Sequence, residues 1–294
     1  MNEKPGNSKG IHIPFFLLSG VLLLIPTYLI AVKGIDGGWG YISPKNMPPD
    51  LSGQGAGVDR LIYLVHYLMG ALFVGWVGYF FYVLFRFHKS RNPKADYHGV
   101  QHHASTWLEG AVAIVEGVLL LGFAIPLWAK AVEKFPGEKD STVIRVIAQQ
   151  FQWNGWYPNA SNVFVKADRK LVSGENPFGW DKSDPNFKSN FRVLGELVVP
   201  VHKPVICYVS SLDVIHCFAI RPMRVTQDAI PGMSVPAWFQ PEKEGTYQIN
   251  CAQLCGNGHY AMRGTVKVVS QKDYDTWSAK QRTTSAAGGG GGFE

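Results

Sequence analysis

The chain has 294 residues, a formal net charge of +6 and a sequence pI near 9.0. That length holds one domain plus membrane anchors. The modest positive charge comes without a basic–aromatic groove or a nucleic-acid motif, which argues against a nucleic-acid binder. The mean hydropathy of −0.01 hides two unlike halves, because residues 1–132 carry long apolar stretches and residues 140–270 read as a β domain.

Three apolar stretches are each long enough to cross about 30 Å of hydrocarbon. The first, Ile13–Val32, is uncharged; its lysine-bearing start also fits a secretory signal. A retained helix is the favoured reading, since the run is long for a signal core and Ile30-Ala-Val-Lys33 is a poor cleavage site. The second spans about 61–87 and the third about 108–129, the latter interrupted by Glu109 and Glu116. The cationic loop Arg86–Lys94 fixes the inner side, so the Gly34–Gly57 loop and everything after Ala129 lie outside. Glu109 and Glu116 are seven residues apart, hence on one helical face. A carboxylate within a span is a functional candidate, here for a proton path.

From Ser141 short β-branched runs are separated by Pro, Gly and Asp clusters: Val143–Ile147, Arg192–Val199, Val205–Val209, Thr246–Asn250 and Val266–Val269. Such runs predict a Greek-key β-barrel or sandwich. The fold class is therefore a membrane-anchored all-β protein: a transmembrane hairpin with an extra N-terminal helix, then a β-barrel. The divisions fall at 1–132, 133–270 and 271–294, the last a flexible Gly-rich tail. The polar stretch between Ala167 and Asn190 reads as a surface excursion. Cys207 and Cys217 sit in apolar runs and read as small core residues, with a disulfide between them as the alternative.

The most informative pattern is Cys251-x-x-x-Cys255-x-x-x-His259-x-x-Met262, with His216 upstream in Asp213-Val-Ile-His216. Two thiolates, two imidazoles and a thioether suit copper, and two sulfurs can bridge two ions. A disulfide or half of a zinc site is the plainer alternative, but zinc has little use for Met. The absence of Cys-x-x-Cys-His excludes a covalently attached haem in this chain.

These motifs, with Gln227-Asp-Ala-Ile-Pro-Gly232 between them, resemble subunit II of haem–copper cytochrome c oxidase from the second apolar helix to Val269. The resemblance implies a cupredoxin-like barrel carrying a binuclear copper centre, CuA. Such a centre takes electrons from a soluble or tethered cytochrome c and passes them to haem in subunit I. There, with other membrane subunits present, dioxygen is reduced to water and protons are pumped. Carried over by position, His216, Cys251, Cys255, His259 and Met262 are copper ligands, and Gln253 is one through its main-chain carbonyl. Gln253 stands where many members have Glu, whose side chain often approaches magnesium, and this puts magnesium in doubt. Phe151 takes the place of the exposed tryptophan that receives electrons, Trp153 matches a later aromatic, and Glu109 matches the glutamate of a proton path. Pro231-Gly232-Met233 replaces Pro-Gly-Arg, removing an arginine contact with the large subunit. The implied location is a bacterial inner membrane, multi-pass, with the copper domain on the periplasmic side. The alternatives are a CuA subunit of a nitric oxide reductase and a membrane-anchored copper-delivery protein.

Overall fold

A computed structural model describes residues 48–94, 98, 103–133 and 135–288. The expected helix at 13–32 lies outside the described residues.

Helix α1, Gly55–Arg86, spans 32 residues and ends on Arg86, where a cation meets the negative end of the helix dipole. It starts six residues before the apolar run read from sequence. Many of its large side chains, Trp76, Tyr79 and Phe80 among them, are exposed, as a lipid-facing helix requires. The second long helix is built in three parts: α2 Ala104–Leu119, a π-helical turn Leu120–Ala124, and α3 Ile125–Glu133. Pro126 explains the turn. Its ring has no N–H and crowds the carbonyl four residues back, so the ladder widens and Ile125 N–H reaches Leu120 O instead. The continuous apolar helix covers Thr106–Lys130, and it and α1 are both long and apolar enough to cross a membrane.

Ten strands follow: β1 Thr142–Gln149, β2 Gln152–Tyr157, β3 Phe191–Leu194, β4 Glu196–Pro200, β5 Val205–Ser211, β6 His216–Ile220, β7 Val225–Ala229, β8 Val235–Phe239, β9 Gly245–Cys251 and β10 Arg263–Val269. They form two five-stranded sheets, ordered β3-β2-β1-β5-β8 and β4-β10-β9-β6-β7. The pairings β1–β5 and β4–β10 are parallel and the others antiparallel, so the chain repeatedly crosses between sheets in Greek-key fashion. Residues Ile144, Val146 and Ala148 of β1 alternate inward onto Phe218, Ile220 and Ile249 of the facing sheet. All five residues of β6 are buried, which explains its unbroken apolar run after His216. Cys207 and Cys217 are both free and buried, as core residues.

Three segments outside the strands complete the domain. Residues 48–54 lie along the barrel: Leu51 N–H donates to Pro222 O (2.9 Å), Gly53 N–H to Gln240 O (3.0 Å) and Glu242 N–H back to Leu51 O (2.9 Å). The excursion expected at the surface between Ala167 and Asn190 instead carries its own apolar nucleus, with Phe178, Trp180 and Phe187 buried against Trp156 and Val165. Asp184 ties it down by accepting Lys166 N–H (2.8 Å) and Asn186 N–H (2.8 Å).

The segment from 271, read from sequence as a flexible tail, is helix α4, Gln271–Gly288. Ser270 and Asp273 form its reciprocal cap, with Asp273 N–H to Ser270 Oγ at 3.1 Å and Ser270 Oγ–H to Asp273 Oδ2 at 2.8 Å. The Trp277 ring then meets Tyr157 and Phe191 edge-on at 5.2 and 5.5 Å. The polar, small-residue composition concealed the helix because these few aromatic contacts, and not an apolar stripe, hold it in place.

Candidate metal centre

The five side chains singled out by spacing converge at one end of the barrel. His216 opens β6 and is fully buried; Cys251 closes β9, and the loop after it brings in Cys255, His259 and Met262 before β10 starts. Cys251 Sγ lies 3.8 Å from Cys255 Sγ. Each sulfur has its own imidazole: His216 Nδ1 is 3.9 Å from Cys251 Sγ, and His259 Nδ1 is 3.6 Å from Cys255 Sγ. Met262 Sδ is 3.6 Å from Cys255 Sγ, and the Gln253 carbonyl oxygen is 3.1 Å from Cys251 Sγ. The ligand atoms of His216, Cys251 and Cys255 all lie within 4.8 Å of one another.

Local hydrogen bonds explain why the loop takes this shape. Cys251 N–H donates to Met262 O (3.2 Å) and Ala252 N–H to Cys217 O (3.0 Å), closing the loop at its base. Gln150 reaches across from the β1–β2 turn, its Nε2 donating to Cys255 O at 2.6 Å. Gly256 takes a φ of +129°, which a side chain would strain. Gly258 lies under the Phe151 ring, and a Cβ there would stand 2.5 Å from Phe151 Cδ2.

Asp213, to which the sequence pattern alone gives no role, is part of the site. Its Oδ1 is 2.8 Å from His216 Nε2, which sets the ring so that Nδ1 faces the sulfurs. Burial works to raise the Asp213 carboxyl, but bonds from Gln150 N–H, the His216 ring and Val214 N–H hold it below the usual carboxylate range. The Asp–x–x–His spacing was the available signal. Burial, and then the hydrogen bond with Cys251, pushes the Cys255 thiol up to about 11. Two thiolates this close therefore need a cation between them, and the soft donor set fits copper. Cys217 stays outside the set: burial and a hydrogen bond to Asp228 push its thiol up to about 12.

Trp153 is buried against the site, its ring centroid 6.3 Å from that of His216 and 5.5 Å from that of Phe218. Phe151 is 39% exposed and covers the loop at Gly256 and Gly258, so both aromatic candidates adjoin the candidate metal ligands. Glu109 and Glu116 do not; they lie on α2, in the membrane-spanning part.

The profile of the family "Cytochrome C oxidase subunit II, periplasmic domain" matches residues 142–269. The chain is 30% identical over 228 residues to the alternative cytochrome c oxidase subunit 2 of Bradyrhizobium diazoefficiens, covering 77% of this chain and 80% of that protein. It is 32% identical over 218 residues to cytochrome c oxidase subunit 2 of Cereibacter sphaeroides, covering 68% of each. The solved periplasmic domain of subunit II of cytochrome oxidase (CoxB) of Bradyrhizobium japonicum is 29% identical, with a TM-score of 0.37, covering 50% of this chain and 96% of that one. Two apolar helices joined to a domain of this family make the protein membrane-anchored. The chain belongs to the cytochrome c oxidase subunit II family of the haem–copper oxidases.

Proposed function

We propose that this chain is the electron-accepting subunit of a respiratory terminal oxidase, with a binuclear copper centre of the CuA type held by His216, Cys251, Cys255, His259, Met262 and the Gln253 carbonyl. The observation that carries this reading is the pairing of two sulfurs 3.8 Å apart, each with its own imidazole within 4 Å. When bound, the copper pair would take one electron at a time from cytochrome c and pass it to haem in subunit I, where dioxygen reduction drives proton pumping. The protein's part is positional. Cys251 and Cys255 would supply the thiolates, His216 and His259 the imidazoles, and the Met262 thioether beside Cys255 a weaker donor. Asp213 orients His216, and the buried Trp153 keeps water from its ring. Ligands anchored on β6, β9 and the base of β10 move little, which lowers the reorganisation that electron transfer requires.

In the membrane, the cationic loop 86–94 lies on the cytoplasmic side and the barrel on the periplasmic side of a bacterial inner membrane. Glu109 and Glu116, spaced to share one face of α2, are the candidates for a proton path toward subunit I. Gln253 brings no carboxylate for magnesium.

The test is copper content together with electron paramagnetic resonance on the full-length protein in detergent. Two coppers per chain with hyperfine structure shared over both nuclei is the expected result. Zinc, or a single exchangeable Cu(I), would overturn the reading and favour copper delivery.

A further inference from the structure

The candidate metal centre is assembled from two halves that come from different parts of the chain. One is Cys251 with His216, seated on β9 and β6; the other is Cys255 with His259 and Met262, carried by the loop between β9 and β10. The first half stands on strands. The second does not: between Gln253 and Ala261 the backbone bonds within its own turns, His259 N–H to Gly256 O at 3.1 Å and Ala261 N–H to Gly258 O at 3.0 Å. Among the described residues, the hydrogen bond that carries this stretch across to the other sheet runs from Gln150 Nε2 to Cys255 O, at 2.6 Å.

Gln150 holds the first half as well, through a different atom. Its backbone N–H donates to Asp213 Oδ2 at 2.7 Å, and Asp213 Oδ1 lies 2.8 Å from His216 Nε2. Three hydrogen bonds in series therefore join the His216 imidazole to the Cys255 peptide, around the outside of the metal position. Leu212 N–H to Ala148 O, at 3.0 Å, ties the Asp213 loop to β1 beside them. No side chain fits between the Cys255 loop and the Gln150 amide: a Cβ on Gly256 would stand 2.8 Å from Gln150 Nε2 and 3.2 Å from Phe151 Cζ. The Phe151 ring packs on the same loop, but apolar contact is non-directional and a hydrogen bond is not. It is the amide that sets which way the Cys255 peptide points.

We infer that Gln150 is a positioning residue for the metal centre: its side chain fixes the Cys255 half against the His216 half, so that both thiolates are presented at one spacing before any metal arrives. On the proposed electron-accepting role, on which this rests, a fixed spacing lets two coppers share one electron with little ligand movement. The backbone and the side chain of Gln150 divide the work. The backbone N–H supports Asp213 whatever the side chain is, and the amide alone reaches Cys255.

The experiment compares Gln150→Met and Gln150→Ala with the native chain, full length in detergent. Both remove the amide donor and keep the backbone N–H, and Met also keeps the side-chain length, so it decides if the smaller variant fails to fold. Cys255 is 4% exposed and labels only when its loop opens. In the metal-free protein, iodoacetamide labelling of Cys255, located by peptide mass mapping, is expected to run about tenfold faster in the variants, the factor one lost hydrogen bond gives. With copper loaded, affinity measured against a chelator is expected to fall about tenfold, and the hyperfine splitting to become unequal over the two nuclei. A general loss of stability does not produce that inequality. Folded variants with native labelling and equal splitting overturn the inference, as does weaker copper binding with both of those unchanged. A native chain that holds zinc or a single copper would instead sink the electron-accepting role, and the Cys255 labelling rate would still decide what Gln150 does.

Discussion

The Arg224 guanidinium, on the turn between β6 and β7, makes a two-pronged ion pair with Asp59 near the start of α1: Nε is 2.6 Å from Oδ1 and Nη2 is 2.8 Å from Oδ2. Further bonds run from Nη2 to Pro48 O and from Nη1 to Arg221 O, both 2.7 Å. Arg224 also has a left-handed backbone, φ 52°, which its side-chain bonds help to hold. The pair fixes the barrel to the membrane helix. Asp59→Ala leaves a mostly buried cation (7% exposed) without its counter-charge and should cost about 2 kcal/mol, less than for a fully buried pair. Arg224→Lys should lose nearly as much, since an ammonium cannot bridge both oxygens. Thermal unfolding in detergent checks both.

Alkali should loosen α4. Burial pushes Tyr274 from 10.0 to about 12 and raises the fully buried Tyr157 in the same direction. A phenol whose folded-state value is raised contributes its full stability below pH 10 and loses it as pH climbs through about 12. Denaturant titrations across that window should show stability falling, and Tyr274→Phe should shrink the fall while keeping the ring. An unchanged slope in Tyr274→Phe would count against this assignment.

Asp213→Asn should weaken copper binding about 10- to 100-fold while the barrel stays folded, because the substitution removes the group that orients His216. Competition against a copper chelator measures the change. Affinity equal to that of the native chain would mean that packing by Trp153 alone holds the ring.

Two of the three sulfur donors should separate cleanly. Cys251→Ser removes one shared thiolate, so copper should fall below two per chain and the shared hyperfine pattern should vanish. Met262→Leu conserves volume at a buried position and should cost less than about 1.5 kcal/mol, retaining both coppers and shifting the centre's potential. Metal analysis and redox titration read the two outcomes.

The candidate ligands could be picked out because their chemistry is rare and their spacing is local, and the structure brings them together: four of them lie within twelve residues, and the fifth carries its own Asp three residues earlier. The strands were legible from β-branched runs, and the two membrane helices from long apolar runs. What remained hidden depends on partners distant in sequence. Residues 48–54 look like loop, yet Leu51 belongs to the core through Pro222 and Glu242. The 167–190 excursion looks polar because its three buried aromatics are spread among Asp, Ser and Asn. The early start of α1 was missed because Asp59 and Arg60 interrupt the apolar pattern, although Asp59 has a partner 165 residues away.

The docking of α4 has a bearing on where this chain can be divided. The family match stops at 269, but Trp277 covers Tyr157 and Phe191, and Ser285 Oγ–H donates to Asn190 O at 3.0 Å inside the structure. At the other end, the Leu51 segment closes the barrel beside Pro222 and Gln240. A soluble fragment trimmed to the conserved-looking boundaries would thus leave two raw edges, one aromatic and one of unpaired backbone. The packed unit is wider than residues 142–269: it carries its seal on both flanks, and the front seal leads directly into α1.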